Sequence, residues 1–117
     1  MSEIADILER AADLIEPGGA WTQHWFATDR FMKDVSPVHP SACSFCARGA
    51  IYRVLDEDPH KQPKPSESAL EAFLVIAKII GADSYEYIEE WNDADGRAQG
   101  EVVAKLREAA AAARGES

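Results

Sequence analysis

Long apolar runs are missing from this chain: no stretch approaches the roughly 20 residues that a membrane span needs. Its first residues, MSEIADILER, carry acids where a secretory leader would carry a basic segment and an apolar stretch, so a cytoplasmic protein is expected. Cysteine is scarce as well. Two residues, Cys43 and Cys46, are expected to be reduced thiols in that compartment. Glycine forms no phosphate-binding loop, because Gly18-Gly19 precedes no Lys-Ser/Thr pair and opens no obvious helix. Basic residues are the minority, 12 against 21 acids for a formal charge of −9. A nucleic-acid backbone would be repelled by most of such a surface, so direct DNA or RNA binding is not expected, whereas a protein with a basic surface fits.

What is present describes one globular domain. The 117 residues are enough for a real core, and a 46% hydrophobic content argues against disorder. The charge is unevenly spread. Residues 1–20 set Glu3, Asp6, Glu9, Asp13 and Glu16 against Arg10, a net of −4, while residues 21–55 set Arg30, Lys33, Arg48 and Arg53 against Asp29 and Asp34, a net of +2. Residues 83–95 hold Asp83, Glu86, Glu89, Glu90, Asp93 and Asp95 with no basic residue.

Periodicity predicts a mainly α protein of about five helices. Ile4, Ile7, Leu8, Ala11, Leu14 and Ile15 recur at helical spacing behind a Ser2 cap, and Pro17-Gly18-Gly19 ends that helix. Residues 21–36 lack helical periodicity; alternation around Trp21, Gln23 and Trp25 and a turn at Asp29-Arg30 predict a short β-hairpin there. A second helix is expected from Pro40 to about Leu55, with Ser44 and Arg48 as its polar strip and the central place in the fold. The proline-rich loop 56–65 must cross the surface. A third helix starts near Ser66 or Ser68, buries Leu70, Phe73, Leu74, Ala77 and Ile80, and ends at Gly81. Ser84 opens a short helix carrying Tyr85, Ile88 and Trp91; residues 92–96 turn; and the last helix runs from about Gln99 to Ala113.

The Cys-x-x-Cys in PSACSFCARGAIYRV invites a metal or redox reading. Structural zinc needs four ligands, and His24, His39 and His60 form no second pair. A thioredoxin-like pair needs a preceding strand in a βαβ unit, which is lacking. Both cysteines are therefore expected to pack as small hydrophobes, with no metal and no cofactor. On a helix, Ala42, Cys46, Gly49 and Arg53 share one stripe. A mid-helix glycine is disfavoured by about 1 kcal/mol relative to alanine, so Gly49 implies close approach of another backbone or a ligand. Arg53 then needs a partner: an acid of the 92–96 turn such as Asp93 or Asp95, or else a bound anion. That turn, NDADG, resembles a calcium loop, but with Gly96 at the sixth position Trp91 and Val102 would fall on ligand positions, so no calcium site is expected.

The chain resembles a family of small bacterial and phage proteins of unknown function. The resemblance runs from the first helix nearly to the C-terminus, through AADLIEPGGAWTQ, the Phe-Cys-x-x-Gly-Ala of FCARGAIYR, and the Trp-Asn-Asp of WNDADGRAQGEVVAKL. Its matched positions are Trp21, Gln23, Cys46, Gly49, Ala50, Arg53, Trp91, Asn92 and Asp93, with Cys43 outside the pattern and Ala98 where a Thr cap is common. It implies a bacterial or phage setting and brings no activity.

The expected function is a small acidic, non-enzymatic binding or regulatory domain, in its sharper form a phage-encoded inhibitor of a host protein with a basic surface. The acidic face of Glu86, Glu89, Glu90 and Asp93 would carry binding, with Arg53, Trp21, Gln23, Trp91 and Asn92 as further binding candidates. The first alternative is a hydrolase or transferase using Cys46 with His24 or His60 and an orienting Asn92 or Asp93. The second is a small-ligand pocket beside the Trp91 turn.

Overall fold

In a computed structural model that describes residues 3–115, the chain forms five α-helices and one small antiparallel sheet. The helices are α1 (Glu3–Ile15), α2 (Ala47–Leu55), α3 (Glu67–Ile80), α4 (Ile88–Asn92) and α5 (Gln99–Ala113). The sheet pairs β1 (Ala27–Thr28) with β2 (Ser44–Phe45), and a 3₁₀ turn (Tyr85–Tyr87) leads into α4. The expected Ser2 cap lies outside the described residues.

The core forms where α1 lies against α5, with α3 against both and α2 packed on α1 and α3. Ala5, Ile7, Leu8, Ala11, Ala12 and Ile15 are the buried stripe of α1, facing Val102, Leu106, Ala109 and Ala110 of α5 in one continuous cluster. Burying this apolar surface is the main stabilising term, at about 25 cal/mol per Å2. An ion network runs along the same seam. Arg107 donates to Glu9 at 2.8 Å, Asp13 at 3.0 Å and Glu16 at 3.1 Å, and Arg114 donates to Glu9 at 3.0 Å. The Arg107 hydrogen bond holds the Glu9 carboxyl below its ordinary range. Much of the acidity of α1 is thereby spent inside the fold.

The expected helix from Pro40 begins instead at Ala47. Residues 40–45 turn and then extend, because Ser44 and Phe45 enter the sheet and the main chain of Cys46 is extended (φ −79°, ψ 175°) as the helix N-cap. Neither cysteine therefore lies within the helix, Ser44 belongs to no helical strip, and Cys43 is exposed rather than packed. The turn at Asp29 does form: its Oδ1 accepts from the N–H groups of Phe31 (2.8 Å) and Lys33 (3.0 Å). Thr28 bridges Asp34 across that turn, but the strand that pairs with β1 is β2, sixteen residues further on. Phe45 is held on both sides, opposite Ala27 in the sheet and bridging Trp21.

Helix α3 is capped by Ser66, whose hydroxyl accepts from Ala69 N–H at 3.1 Å, and Gly81 ends it in the left-handed region (φ +76°). Its buried face is Ala69, Ala72, Phe73, Ile76 and Ala77; Leu74, expected inside, is 52% exposed. Helix α5 opens at Ala98, which has no capping side chain; the Glu101 carboxylate accepts from Ala98 N–H at 2.8 Å instead, and Arg97 pairs with that carboxylate.

Candidate functional site

The segment 20–28 wraps around the N-terminus of α2, and one buried side chain joins them to the end of α4. Asn92 has no exposed surface and fills all four of its hydrogen-bonding capacities. Its Oδ1 accepts from Trp21 Nε1 (2.9 Å) and from the N–H of Ala47 (3.1 Å), while its Nδ2 donates to Thr22 O (3.1 Å) and to Asp93 Oδ1 (3.0 Å). Gln23 adds bonds from Nε2 to the carbonyls of Asn92 (3.1 Å) and Ala94 (3.2 Å). Of the expected binding residues, Trp21, Gln23 and Asn92 are therefore a latch between chain segments. Trp91 is half-buried under the Arg97 guanidinium, 4.3 Å from the ring centre.

The same junction starts α2. Two of the first N–H groups of a helix that need outside acceptors find them here, Ala47 on Asn92 and Gly49 on Cys46 Sγ at 3.2 Å. Gly49 meets another backbone, as one of its two expected readings had it. A Cβ at that position would lie 1.8 Å from the Phe26 carbonyl oxygen, which itself accepts from Cys46 N–H at 3.1 Å.

Cys46 is fully buried, and its thiol donates toward both oxygens of Glu89, each 3.7 Å away. Burial, and then the Glu89 charge beside it, push the thiol well above the ordinary range. Glu89 is shifted too: burial raises its carboxyl from 4.5 to about 7, opposed by the positive charge of Arg48. Arg48 was expected on a polar strip and is instead enclosed by aromatic rings. Its guanidinium carbon lies 4.8 Å from the ring centre of Phe73, 5.2 Å from Tyr85, 5.3 Å from Phe26 and 5.8 Å from Tyr52, and one Nη donates to the Tyr52 hydroxyl at 3.2 Å. Such a cation–π setting stabilises a desolvated guanidinium by roughly 2 kcal/mol. No signal in the sequence marked this cage, since its rings come from four separate elements.

Above Cys46 and Glu89 lies an open cleft of about 480 Å3, lined by His24, Trp25, Phe26, Asp34, Pro59, His60, Glu89 and Asp93. Asp93 reaches it from the C-terminal end of α4, its Oδ1 accepting from His24 N–H at 2.9 Å and its Oδ2 lying 3.8 Å from His24 Nδ1. His24 itself lies in the left-handed region (φ +75°), a conformation uncommon for a residue with a side chain. The expected acidic face is thus divided. Glu89 and Asp93 turn into the cleft, while Glu86 and Glu90 are exposed and outside its lining. Asp34, which no sequence signal placed here, and His60, one of the two histidines considered beside Asp93, join from loops.

Arg53 is placed differently from the expected ion pair with the 92–96 turn. Its Nη1 donates to the carbonyls of Pro37 (3.0 Å) and His39 (3.1 Å), and its guanidinium lies 5.9 Å from the Phe45 ring centre. The acids of the turn are engaged elsewhere or exposed, and β2 with the 36–39 loop occupies the side of α2 from which Arg53 projects. Among the described residues, no group of three or more His, Cys, Asp and Glu side chains is arranged to hold a metal ion. No described helix is long and apolar enough to cross a membrane.

No curated protein and no solved structure matches this chain. Residues 1–112, which contain every element of the cleft and of the Asn92 junction, match a family of unknown function, DUF6197, and the chain belongs to that family.

Proposed function

We propose that this protein is a binding domain whose acidic cleft receives a cationic group, an arginine or lysine side chain, from a partner protein. The observation that carries the reading is the convergence of Asp34, Glu89 and Asp93 on one concavity walled by the Trp25 and Phe26 rings. Carboxylates supply charge-assisted hydrogen bonds to a guanidinium or ammonium, and aromatic faces favour the same groups. No lysine or arginine lines the cleft; Arg48, whose charge acts on Glu89, is held in its aromatic cage. Trp25 is 48% exposed, available to close over an entering side chain. Glu86 and Glu90 stand outside and act on encounter rate, through a field screened over about 8–10 Å at ordinary salt. Cys46 serves packing in this reading, its buried thiol acting as helix cap and donor to Glu89. A phage or bacterial setting, with a basic host protein as target, is the finer form of the same proposal.

The test is an NMR titration of the intact chain at pH 8 with acetyl-Gly-Arg-Gly-amide, its Lys counterpart and its Glu counterpart. The basic peptides should shift the amides of His24, Trp25 and Asp93, less at high salt, and D34N/E89Q should weaken them about tenfold. Equal shifts with the Glu peptide, or no shifts at tens of millimolar, would overturn the proposal.

A further inference from the structure

A second concavity lies on the far side of α2, and its electrostatics are opposite. It measures about 370 Å3 and is lined by Arg10, Asp13 and Leu14 of α1 and by Arg53 and Val54 of α2. Asp13, its acid, is already bonded to Arg107 at 3.0 Å. The two arginines are not so engaged. Among the described residues no carboxylate lies within ion-pair distance of Arg10 or Arg53, in a chain where Arg97, Arg107 and Arg114 all have one. Arg53 is moreover held in place: both carbonyl contacts fall on Nη1, and among the described residues Nη2 and Nε have no hydrogen-bond partner.

A half-buried guanidinium fixed by backbone carbonyls, its remaining donor edge free, is preorganised for a carboxylate or phosphate, which accept two parallel N–H bonds. The concavity continues past Leu14 and Arg53 into a neighbouring one of about 470 Å3, where Ala20, Ala42 and Phe45 supply apolar surface. We infer that the groove between α1 and α2 binds a small organic anion, its carboxylate or phosphate head on Arg53 and Arg10 and its apolar part against Leu14 and Phe45. This site is independent of the acidic cleft and does not rest on the function proposed for it.

The experiment is an NMR titration of the intact chain with hexanoate, hexyl phosphate, acetate and hexylammonium. Hexanoate or hexyl phosphate should shift the amides of Leu14, Ala20, Arg53 and Val54; the stronger of the two identifies the head group. Acetate should bind several-fold more weakly, and hexylammonium should leave those amides unmoved. R10Q, at an exposed position that leaves the core intact, should weaken the bound anion about tenfold, the effect of one lost charge-assisted contact. R53K, which keeps the charge and loses the planar fork, should weaken it at least as much. Neither anion shifting these amides at tens of millimolar, hexylammonium shifting them equally, or R10Q and R53K binding as the unaltered chain does would each overturn the inference.

Discussion

Replacing Glu89 by Gln should make the protein more stable at alkaline pH and remove a pH dependence that the unaltered chain shows. Burial beside Cys46 lifts the folded Glu89 carboxyl to about 7 from 4.5. Between those two values the folded chain holds a proton that the unfolded chain has released, so stability falls as pH rises. The favourable contribution of the neutral carboxyl is complete below about 4.5 and lost as pH passes through 7. At about 1.4 kcal/mol per pH unit the change amounts to roughly 3 kcal/mol, a large part of the 5–15 kcal/mol that holds a domain together. Glutamine keeps the shape and cannot ionise. Urea denaturation followed by tryptophan fluorescence at intervals from pH 4.5 to 8.5 would read the difference between E89Q and the unaltered chain. That difference should grow by roughly 3 kcal/mol across the range in favour of E89Q. Carboxyls held low by hydrogen bonds, such as Glu9 and Glu101, lose their stabilising contribution at the acid end in both proteins and cancel. Parallel curves from pH 5 to 8.5 would refute the reasoning, because they would mean that Glu89 is solvated.

The same ionisation should tighten binding of the arginine peptide as pH rises through 7, an effect that titrations at pH 6 and pH 8 would reveal and that E89Q should abolish. Asn92→Ala should cost about 3 kcal/mol or more, since it leaves the Trp21 and Ala47 donors and the Thr22 carbonyl without their partner; chemical denaturation would measure it. Gly49→Ala, which on an exposed helix would stabilise by about 1 kcal/mol, should instead destabilise by about 3 kcal/mol, because its Cβ meets the Phe26 carbonyl. Thiol labelling of the native chain should modify Cys43 quickly and Cys46 only after denaturant is added, giving one fast equivalent by mass spectrometry.

The parts of the fold legible in the sequence were those whose signals are local. Gly81 as the end of α3, Ser84 as the cap before the 3₁₀ turn, and the span of α5 all follow from residues within a turn of the feature they specify. The start of α2 was hidden because Cys46 is an unusual cap and the acceptor for Ala47 comes from Asn92, 45 positions away. The charge of Arg53 pointed to an acid, yet it is met by two main-chain carbonyls, which carry no sequence signal of their own. The acidic face was only half legible. Spacing put residues 86, 89 or 90 and 93 on one side of a single helix, whereas residues 85–87 form a separate 3₁₀ turn before the short α4, and Glu86 and Glu90 are exposed outside the cleft. Glu89 and Asp93, four apart within and just beyond α4, keep their common side and enter the cleft.

Net charge has the same limitation as local pattern. A value of −9 suggests a uniformly acidic surface, but Glu9, Asp13 and Glu16 are held by Arg107 and Arg114 along the seam of α1 and α5. What a partner would meet is set by the charges outside that seam, and these are sorted by place. Asp34, Glu89 and Asp93 gather on one side of α2, whereas Arg10 and Arg53 gather on the other. Helix α2, nine residues long, is too short to separate two such fields by more than the roughly 30 Å Debye length of low salt, so a cation in one site should ease anion binding at the other, and added salt should remove that coupling. Both hang on the same structure, the N-terminus of α2 with Cys46 as cap and Asn92 as latch. A substitution at Asn92 that left the chain folded would therefore loosen the acidic cleft directly, through Asp93, while reaching Arg53 only through the body of the helix. Asn92→Asp is the variant that separates the two: it keeps the oxygen that accepts from Trp21 and Ala47 and puts a carboxylate oxygen where Nδ2 donated to Thr22 O at 3.1 Å and Asp93 Oδ1 at 3.0 Å. Like charges at that distance repel, so His24 and the cleft should show the largest amide shifts and the arginine peptide should bind more weakly. Hexanoate, on the far side, should bind as before; equal loss at both sites would mean that α2 itself had come loose and that the two sites are one unit.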